Sequence, residues 1–126
     1  PEQEQGFREL AAFFRAKAEP APEADTEKLL ELVALDLSAG YPYANSIASE
    51  ASDRGALRAL AWSEKVTRML QSLLTRYQAE GERMLENTGV FVCSVCGFVY
   101  VGDVPPEICP VCKVPSWKFD RVERRA

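Results

Sequence analysis

Four cysteines, the only ones among the 126 residues, lie close together near the end of the chain. They are Cys93, Cys96, Cys109 and Cys112, and their pattern is C-x2-C-x12-C-x2-C. Two thiolates of one C-x-x-C turn can bind the same metal ion, and a second turn completes a tetrahedral set of four sulfur ligands, which selects zinc or iron. Two disulfide bonds are a weaker interpretation, because paired C-x-x-C turns are typical of metal sites.

The residues beside the cysteines have the conformational properties that such turns need. Gly97 follows the second ligand and permits a positive φ, which lets backbone N–H groups approach sulfur closely. Pro110 fixes φ at the start of the second turn. Hydrogen bonds from backbone N–H groups to sulfur set the potential of a redox metal. We expect these donors around Val95, Gly97, Val111 and Lys113.

Aromatic residues are concentrated at both ends of the cysteine pattern: Phe91, Phe98, Tyr100, Trp117 and Phe119. A structural zinc ribbon needs only enough apolar side chains to close a small hairpin, whereas a redox iron site benefits from an aromatic shell that keeps water away from the sulfurs. We therefore expect one iron ion per chain. Zinc is the alternative, because four thiolates can hold either metal.

The segment from about Phe91 to Val122 resembles the rubredoxin-like domain that ends rubrerythrins. The likeness rests on C-x-x-C-G with two aromatic residues at 93–100, P-P-E-x-C-P-x-C at 105–112, and P-x-x-x-F at 115–119. This resemblance implies a mononuclear iron centre on the four cysteines. Lys113 departs from the family pattern, in which many members have glycine, and its positive charge should favour the reduced, more negative centre.

The composition limits the classes of partner. With 47% apolar residues, the chain can form one modest domain and a small module that needs its metal to fold. A net charge of −4 argues against nucleic acid or an anionic membrane as partner. No apolar run approaches the ~20 residues of a membrane span, and no signal-peptide pattern opens the chain. We expect a cytoplasmic protein, and because the sequence begins with Pro1 a preceding segment is left open.

Helical patterns precede the cysteines. The first covers residues 2–18, where apolar residues recur at helical spacing before the prolines that end it. The second is capped by Asp25 or Thr26, and its nearly continuous apolar surface predicts a helix that is deeply buried or packed between two neighbouring elements. We expect this helix to run on to Ala51 through a kink at Pro42, although a loop there is the competing interpretation.

A turn at 53–55 separates the second helix from a long amphipathic helix predicted from Ala56 to about Glu86. Short connections imply that the helices pack antiparallel in a bundle. We therefore predict a mainly α protein with a small β metal module. A three-helix, partial ferritin-like domain occupies residues 1–87, and a rubredoxin-like domain occupies residues 88–126.

The helical part also resembles rubrerythrin, more faintly than the cysteine segment does. Residues 4–19 resemble the family's second helix, while Tyr41, Pro42, residues 52–55 and Trp62 resemble its third and fourth helices. This resemblance implies that the family's first helix is missing from this chain. The fourth wall of the bundle must then come from elsewhere.

Rubrerythrins hold a di-iron centre with glutamates and E-x-x-H pairs, but this chain contains no histidine. Leucine at an inward position removes a ligand and disfavours a hydrated dication, so we expect neither a di-iron site nor catalytic residues. Asp36 could still ligate, although such a carboxylate more often bonds backbone groups freed near Pro42. The resemblance places the ligand positions of the family's second helix at Ala21, Pro22, Glu23 and Ala24. Those of its third helix fall at Asp36 and Ala39, and those of its fourth helix fall at Leu70 and Leu73.

These observations favour a one-electron transfer protein whose helices dock onto a larger redox complex or a second copy of the chain. Its expected partners are redox proteins. Two alternatives stay open. One is a zinc-ribbon interaction module, and the other is a rubrerythrin-type peroxidase completed by a separate N-terminal segment.

Overall fold

The computed structural model describes residues 2–18 and 25–123 and is mainly α-helical, with a small three-stranded sheet at its end. A π-helical segment connects the second and third helices, and a 3-10 segment follows the fourth. The helices are α1 (Glu2–Lys17), α2 (Thr26–Leu35), the π segment (Asp36–Gly40), α3 (Tyr41–Glu50), α4 (Arg54–Glu80) and the 3-10 segment (Gly81–Leu85). The strands are β1 (Gly89–Cys93), β2 (Val99–Gly102) and β3 (Phe119–Arg121), with a short 3-10 turn (Ser116–Lys118) before β3.

Helix α1 has the predicted extent but buries none of its residues. Phe7 is 73% exposed and Phe14 is 62% exposed. Only Ala11 is half-buried. The prolines that were predicted to end this helix lie outside the described residues. The packed part of the helical region is therefore formed by α2 and α3, which both lie against α4.

Helix α2 begins as predicted, because the Asp25 side chain accepts a hydrogen bond from the Lys28 backbone N–H at 2.6 Å. The prediction of deep burial is wrong. Val33 is its one buried residue, whereas Leu32 is 48% exposed and Leu35 is 60% exposed. Helix α4 covers one face of α2, and within the described part of the chain the opposite face stays open to solvent.

The predicted continuity of the helix through Pro42 is confirmed, and a π-helical segment lies directly before Tyr41 and the proline. The Tyr41 N–H donates to the Asp36 carbonyl, five residues back instead of four. Pro42 consequently lies in the first turn of α3, where its missing N–H costs little. Asp36 contributes to this segment through its backbone carbonyl.

Helix α4 begins two residues earlier than predicted. Ser52 turns the chain with a φ of 53°, and the Asp53 side chain accepts the Ala56 N–H at 3.0 Å as the N-cap. The helix also ends earlier, at Glu80, because Gly81 adopts a φ of 63°. Residues 81–85 therefore form a 3-10 segment where the sequence predicted the end of an α-helix.

Tyr41 connects α3 to α4 by hydrogen bonds. Its hydroxyl lies 2.6 Å from the Ser63 hydroxyl and 2.8 Å from the Thr67 hydroxyl. Every helix of the described residues is too short or too polar to span a lipid bilayer.

The sheet has the order β2-β1-β3, and both pairs are antiparallel. Asn87 turns the chain into β1 with a φ of 52°. In the register of the central strand, Phe91 lies opposite Tyr100 and Cys93 lies opposite Phe119. This register places the first cysteine at the end of β1, beside an aromatic residue of β3.

Candidate metal centre

The four cysteine sulfurs converge on one point, all within 4.8 Å of one another. The Cys93 and Cys112 sulfurs are 3.7 Å apart, and the Cys96 and Cys109 sulfurs are 3.6 Å apart. None of these cysteines forms a disulfide bond. Four sulfurs bound tetrahedrally at about 2.3 Å from a metal would be separated by about 3.8 Å. The arrangement therefore fits a tetrahedral zinc or iron ion.

Two equivalent turns hold the sulfurs. In the first, the Gly97 N–H donates to the Cys93 carbonyl at 2.9 Å, and in the second the Lys113 N–H donates to the Cys109 carbonyl at 3.0 Å. Gly97 adopts a φ of 83° and Lys113 a φ of 65°. Glycine adopts such angles freely, whereas a lysine pays a steric penalty. Lys113 thus occupies a position whose backbone suits glycine, and its Nζ donates to the Pro110 carbonyl at 3.1 Å.

In each turn, the backbone N–H of the first cysteine also donates a hydrogen bond. The Cys93 N–H donates to the Phe98 carbonyl at 2.9 Å, and the Cys109 N–H donates to the Val114 carbonyl at 2.8 Å. Both cysteines are thereby fixed by two backbone hydrogen bonds each. The backbone of the two turns therefore positions the first cysteine of each pair.

Backbone N–H groups donate to three of the sulfurs. The donors are Cys96 and Val95 to the Cys93 sulfur, Phe98 to the Cys96 sulfur, and Val114 to the Cys112 sulfur. Val95 is a predicted donor and is confirmed. Around Gly97 and Lys113, the donors to sulfur are the next residues along the chain, Phe98 and Val114, because the N–H groups of Gly97 and Lys113 bond carbonyl oxygens.

The thiols differ in acidity because burial and N–H donation oppose each other. Burial raises the pKa of Cys96 to about 12, in spite of the Phe98 N–H, and burial also raises the pKa of Cys112. Burial acts in the same direction on Cys93, but hydrogen bonds from the N–H groups of Cys96 and Val95 and from the Cys112 and Cys96 thiols together lower the pKa of this thiol. A metal ion that binds here must displace protons from the high-pKa thiols.

The inner half of the site is dry. Cys93 is 1% exposed and Cys109 is fully buried, and they form one core with Phe98 and Val111. The Phe98 ring meets Phe119 edge-on at 6.2 Å between centroids. Cys96 and Cys112 are only half-buried, so the site has a protected side and a side near solvent.

The predicted aromatic shell is partly wrong. Phe98, Tyr100 and Phe119 pack at the core of the site, but Trp117 is 73% exposed and lies under the ammonium group of Lys118, 4.4 Å from the ring centroid. Phe91 is half-buried and lies outside this core. The sequence could not assign Trp117, because strand and turn geometry decide which way its ring points.

Helix α4 supplies the side chains that the sequence analysis did not assign to the site. Trp62, Val66 and Met69 pack against the core that contains the cysteines. Their spacing of four and three residues places them on one face of a helix, which is the available signal. That spacing could not show whether the face meets another helix or the metal module.

Among the described residues, the positions that correspond to the family's di-iron ligands form no second cluster of potential metal ligands. Leu70 and Leu73 are half-buried on α4, Ala39 is exposed, and the Asp36 side chain is exposed. Residues 21–24 lie outside the described residues. Over residues 2–18 and 25–123, the cluster of three or more potential His, Cys, Asp or Glu ligands is the set of four cysteines.

Comparisons with known proteins agree with this geometry. Residues 91–120 match the family model for the rubredoxin-like domain of rubrerythrin. A protein of Methanocaldococcus jannaschii named "Putative rubrerythrin" is 38% identical over 72 residues, which is 56% of this chain and 34% of the relative. The chain therefore spans about a third of the length of this curated relative.

A solved structure of nigerythrin in its fully reduced, all-ferrous state has the same fold. The two align with a TM-score of 0.72 at 18% sequence identity, over 91% of this chain and 60% of nigerythrin. These findings confirm the resemblance to the rubrerythrin family. They identify a partial ferritin-like helical region followed by a rubredoxin-like metal-binding module with four cysteines.

Proposed function

We propose, from this likeness to rubrerythrins, that the chain transfers single electrons through one iron ion bound by Cys93, Cys96, Cys109 and Cys112. The observation that carries the proposal is the convergence of four sulfurs at tetrahedral spacing inside a largely apolar core. An iron ion with four thiolate ligands supplies a one-electron couple between its ferrous and ferric states.

The protein's contribution is a rigid and partly dry environment. The backbone hydrogen bonds of the two turns fix Cys93 and Cys109, and such rigidity would limit reorganisation when the charge on a bound iron ion changes. The N–H donors of Val95, Cys96, Phe98 and Val114 stabilise negative charge on sulfur and so favour the reduced state. Cys96 and Cys112 give a redox partner access to the side of the site near solvent.

The helical region, residues 1–87, is proposed to act as a scaffold for the rubredoxin-like domain, residues 88–126. Its role would be docking or self-association, including assembly as a subunit of a larger redox complex with redox proteins as partners. The exposed apolar residues of α1 and α2 support this role, because a contiguous apolar surface marks an interaction site.

Metal analysis of anaerobically purified protein tests the proposal. We expect one iron per chain, a red colour from thiolate-to-iron absorption, and a reversible one-electron wave in voltammetry. Cys96→Ser should shift the absorption and weaken iron retention, because an oxygen ligand replaces a thiolate. Ser94→Ala, an exposed position in the same turn, should leave both unchanged.

Other metal contents would contradict the proposal. A colourless, redox-silent protein with one zinc ion per chain would indicate a structural interaction module. Three iron ions per chain would indicate a completed di-iron enzyme.

A further inference from the structure

Strand β2 is an edge of the small sheet, because among the described strands it pairs with β1 alone. The Cys93 N–H donates to the Phe98 carbonyl, and in an antiparallel ladder such bonding recurs at every second residue. The N–H and C=O groups of Val99 and Val101 therefore point away from β1. Within residues 2–18 and 25–123, no hydrogen bond satisfies these backbone groups.

The edge of β2 lacks the devices that usually protect a free edge. Proteins keep other strands away from such edges with charged side chains, prolines or a covering segment. The four residues of β2, Val-Tyr-Val-Gly, include neither a charged residue nor a proline. The backbone of β2 can therefore accept a further strand.

A groove of about 420 Å³ lies between this edge and α4. Its β2 wall includes every residue from Phe98 to Val101. Alternate residues of a strand point to opposite faces of the sheet, so this consecutive lining fits a groove that runs along the edge. We call it the α4–β2 groove. Its α4 wall is formed by Met69, Ser72, Leu73 and Arg76.

The two walls of the α4–β2 groove have similar lengths. From the rise per residue of a helix and of a strand, the helical stretch and the β2 stretch are each about 10 Å long. Phe98 lines the groove and also belongs to the core around the sulfurs. A segment bound in the groove therefore contacts the same ring that shields the metal site.

The helical wall of the groove is basic. Helix α4 contains five basic and two acidic residues, although the whole chain has a net charge of −4. Lys65 lies four residues before Met69, on the same side of the helix, and it forms no ion pair with another described residue. Arg76 lines the groove, with its Nε 2.9 Å from a carboxylate oxygen of Glu80. An acidic segment therefore complements this wall better than a basic one.

We propose that the α4–β2 groove binds an extended acidic segment of a partner protein, which adds a strand to β2. Main-chain hydrogen bonds to Val99 and Val101 supply the affinity, as in other cases of strand addition. Apolar side chains at alternate positions of the segment contact Met69 and Leu73, and its acidic side chains lie near Lys65. This inference goes beyond electron transfer, because the groove requires the folded module and not a particular metal.

A short peptide tests the proposal on the full, metal-loaded chain. The probe is a fluorescently labelled peptide of sequence EEVTVEE with blocked ends, and fluorescence anisotropy measures its binding. We expect a dissociation constant on the order of 100 μM. Hydrogen exchange of the Val99 and Val101 amides should become slower when the peptide is bound.

Two control peptides separate strand addition from attraction between charges. The same sequence with N-methyl groups on its three central residues keeps the charge but loses main-chain donors, and it should bind at least about tenfold more weakly. The sequence KKVTVKK keeps the backbone donors and reverses the charge. It should also bind more weakly than EEVTVEE, because Lys65 then repels it.

Variants of the protein test the same contacts from the other side. Val101→Pro removes an N–H that β1 does not use, so the sheet tolerates it, and the dissociation constant should rise at least about fivefold. Val101→Thr keeps the N–H and should leave binding within about twofold of the original. Lys65→Glu should weaken binding at least about threefold, whereas Arg54→Glu, outside the groove, makes the same charge change and should not.

Three outcomes would overturn strand addition: no binding of EEVTVEE, equal binding of its N-methylated form, or equal affinities of the Val101→Pro and Val101→Thr variants. A dimer in light scattering that Val101→Pro dissociates would also overturn it, since a second copy would then cover the edge. Metal content, colour and voltammetry of the same samples test electron transfer separately. Peptide binding by a colourless protein would support strand addition and refute the electron carrier.

Discussion

The metal module buries its apolar side chains in one core, whereas the helical region leaves many large apolar side chains exposed. In residues 89–123 the buried apolar residues form a single core around the sulfurs: Cys93, Phe98, Cys109 and Val111. The described helical residues are more than twice as many, yet their buried positions are scattered at Val33, Ala48 and Met84. The module is thus closed around its site, and the helices keep apolar surface open.

This difference shows where each region obtains its stability. A module of this size has too little apolar surface to fold by burial alone, so a bound metal must supply part of its folding free energy. The helices instead depend on neighbours. One neighbour is the module itself, since Trp62, Val66 and Met69 of α4 pack on its core. Other apolar side chains of the described helices, such as Phe7 of α1 and Leu35 of α2, are exposed.

Of the changes considered, removal of the metal should have the largest effect on the stability of the module. Chelation under reducing conditions should unfold the module, because structural tetrathiolate sites contribute apparent binding free energies on the order of 10 kcal/mol. In a Trp117→Phe variant, Trp62 becomes the only tryptophan and reports on the contact between α4 and the module. We expect its fluorescence to shift to longer wavelength on chelation and to recover when metal is returned. An unchanged emission spectrum would show that the module holds its core without metal.

The two tryptophans should differ sharply in their contribution to stability. Trp62→Ala removes a half-buried ring from the contact between the regions and should cost roughly 2 kcal/mol of unfolding free energy. Trp117→Ala, at a ring that is 73% exposed, should change it by less than about 0.5 kcal/mol. Urea denaturation of the metal-loaded variants measures both. Similar losses for the two variants would contradict the packing described for α4.

Within the helices, burial should predict the cost of truncation. Val33 is 8% exposed and Leu35 is 60% exposed. Val33→Ala should lower the free energy of unfolding by about 1.5 kcal/mol, and Leu35→Ala by less than about 0.5 kcal/mol. Denaturation at one fixed protein concentration compares them. A larger loss for Leu35→Ala would mean that the outer face of α2 is covered in solution.

The smallest effects concern the two equivalent turns of the metal site. Gly97→Ala should destabilise the module by about 1 kcal/mol, since its added Cβ meets no atom within 4 Å and the cost comes from the positive φ alone. Lys113→Gly should stabilise it by about 0.5 kcal/mol, the relief of strain being partly offset by the flexibility of glycine. Thermal unfolding of the metal-loaded protein gives both values.

Lys113→Gly should also lower the reduction potential slightly, because it removes a positive charge that favours the reduced centre. Voltammetry of Lys113→Gly and of Lys113→Arg compares their reduction potentials. Because Lys113→Arg keeps the positive charge, the comparison separates the effect of the charge from the effect of relieving backbone strain. If the two variants shift the potential equally, the charge is not the cause.

Local features were predicted well. The two C-x-x-C turns depend on residues a few positions apart, so Gly97 and the spacing of the cysteines were sufficient to predict the convergence of the sulfurs. The Asp25 cap and the continuity of the helix through Pro42 are local for the same reason. The start of α4 was predicted late, because the Gly55 that indicated a turn lies inside the helix behind its Asp53 cap.

The spacing of the cysteines was enough to predict a metal site with four thiolate ligands, since thiols on two tight turns converge where the backbone of those turns directs them. The surroundings of the site depend instead on how the helices and strands pack. Trp117 turns outward, while Trp62 of a distant helix packs on the core, and the surface of α2 that looked buried is exposed. The hydrophobic effect is non-directional, so an apolar side chain can be buried by any apolar surface that reaches it. An apolar stripe in the sequence therefore indicates that a surface packs against something, but the contacting element depends on the tertiary structure.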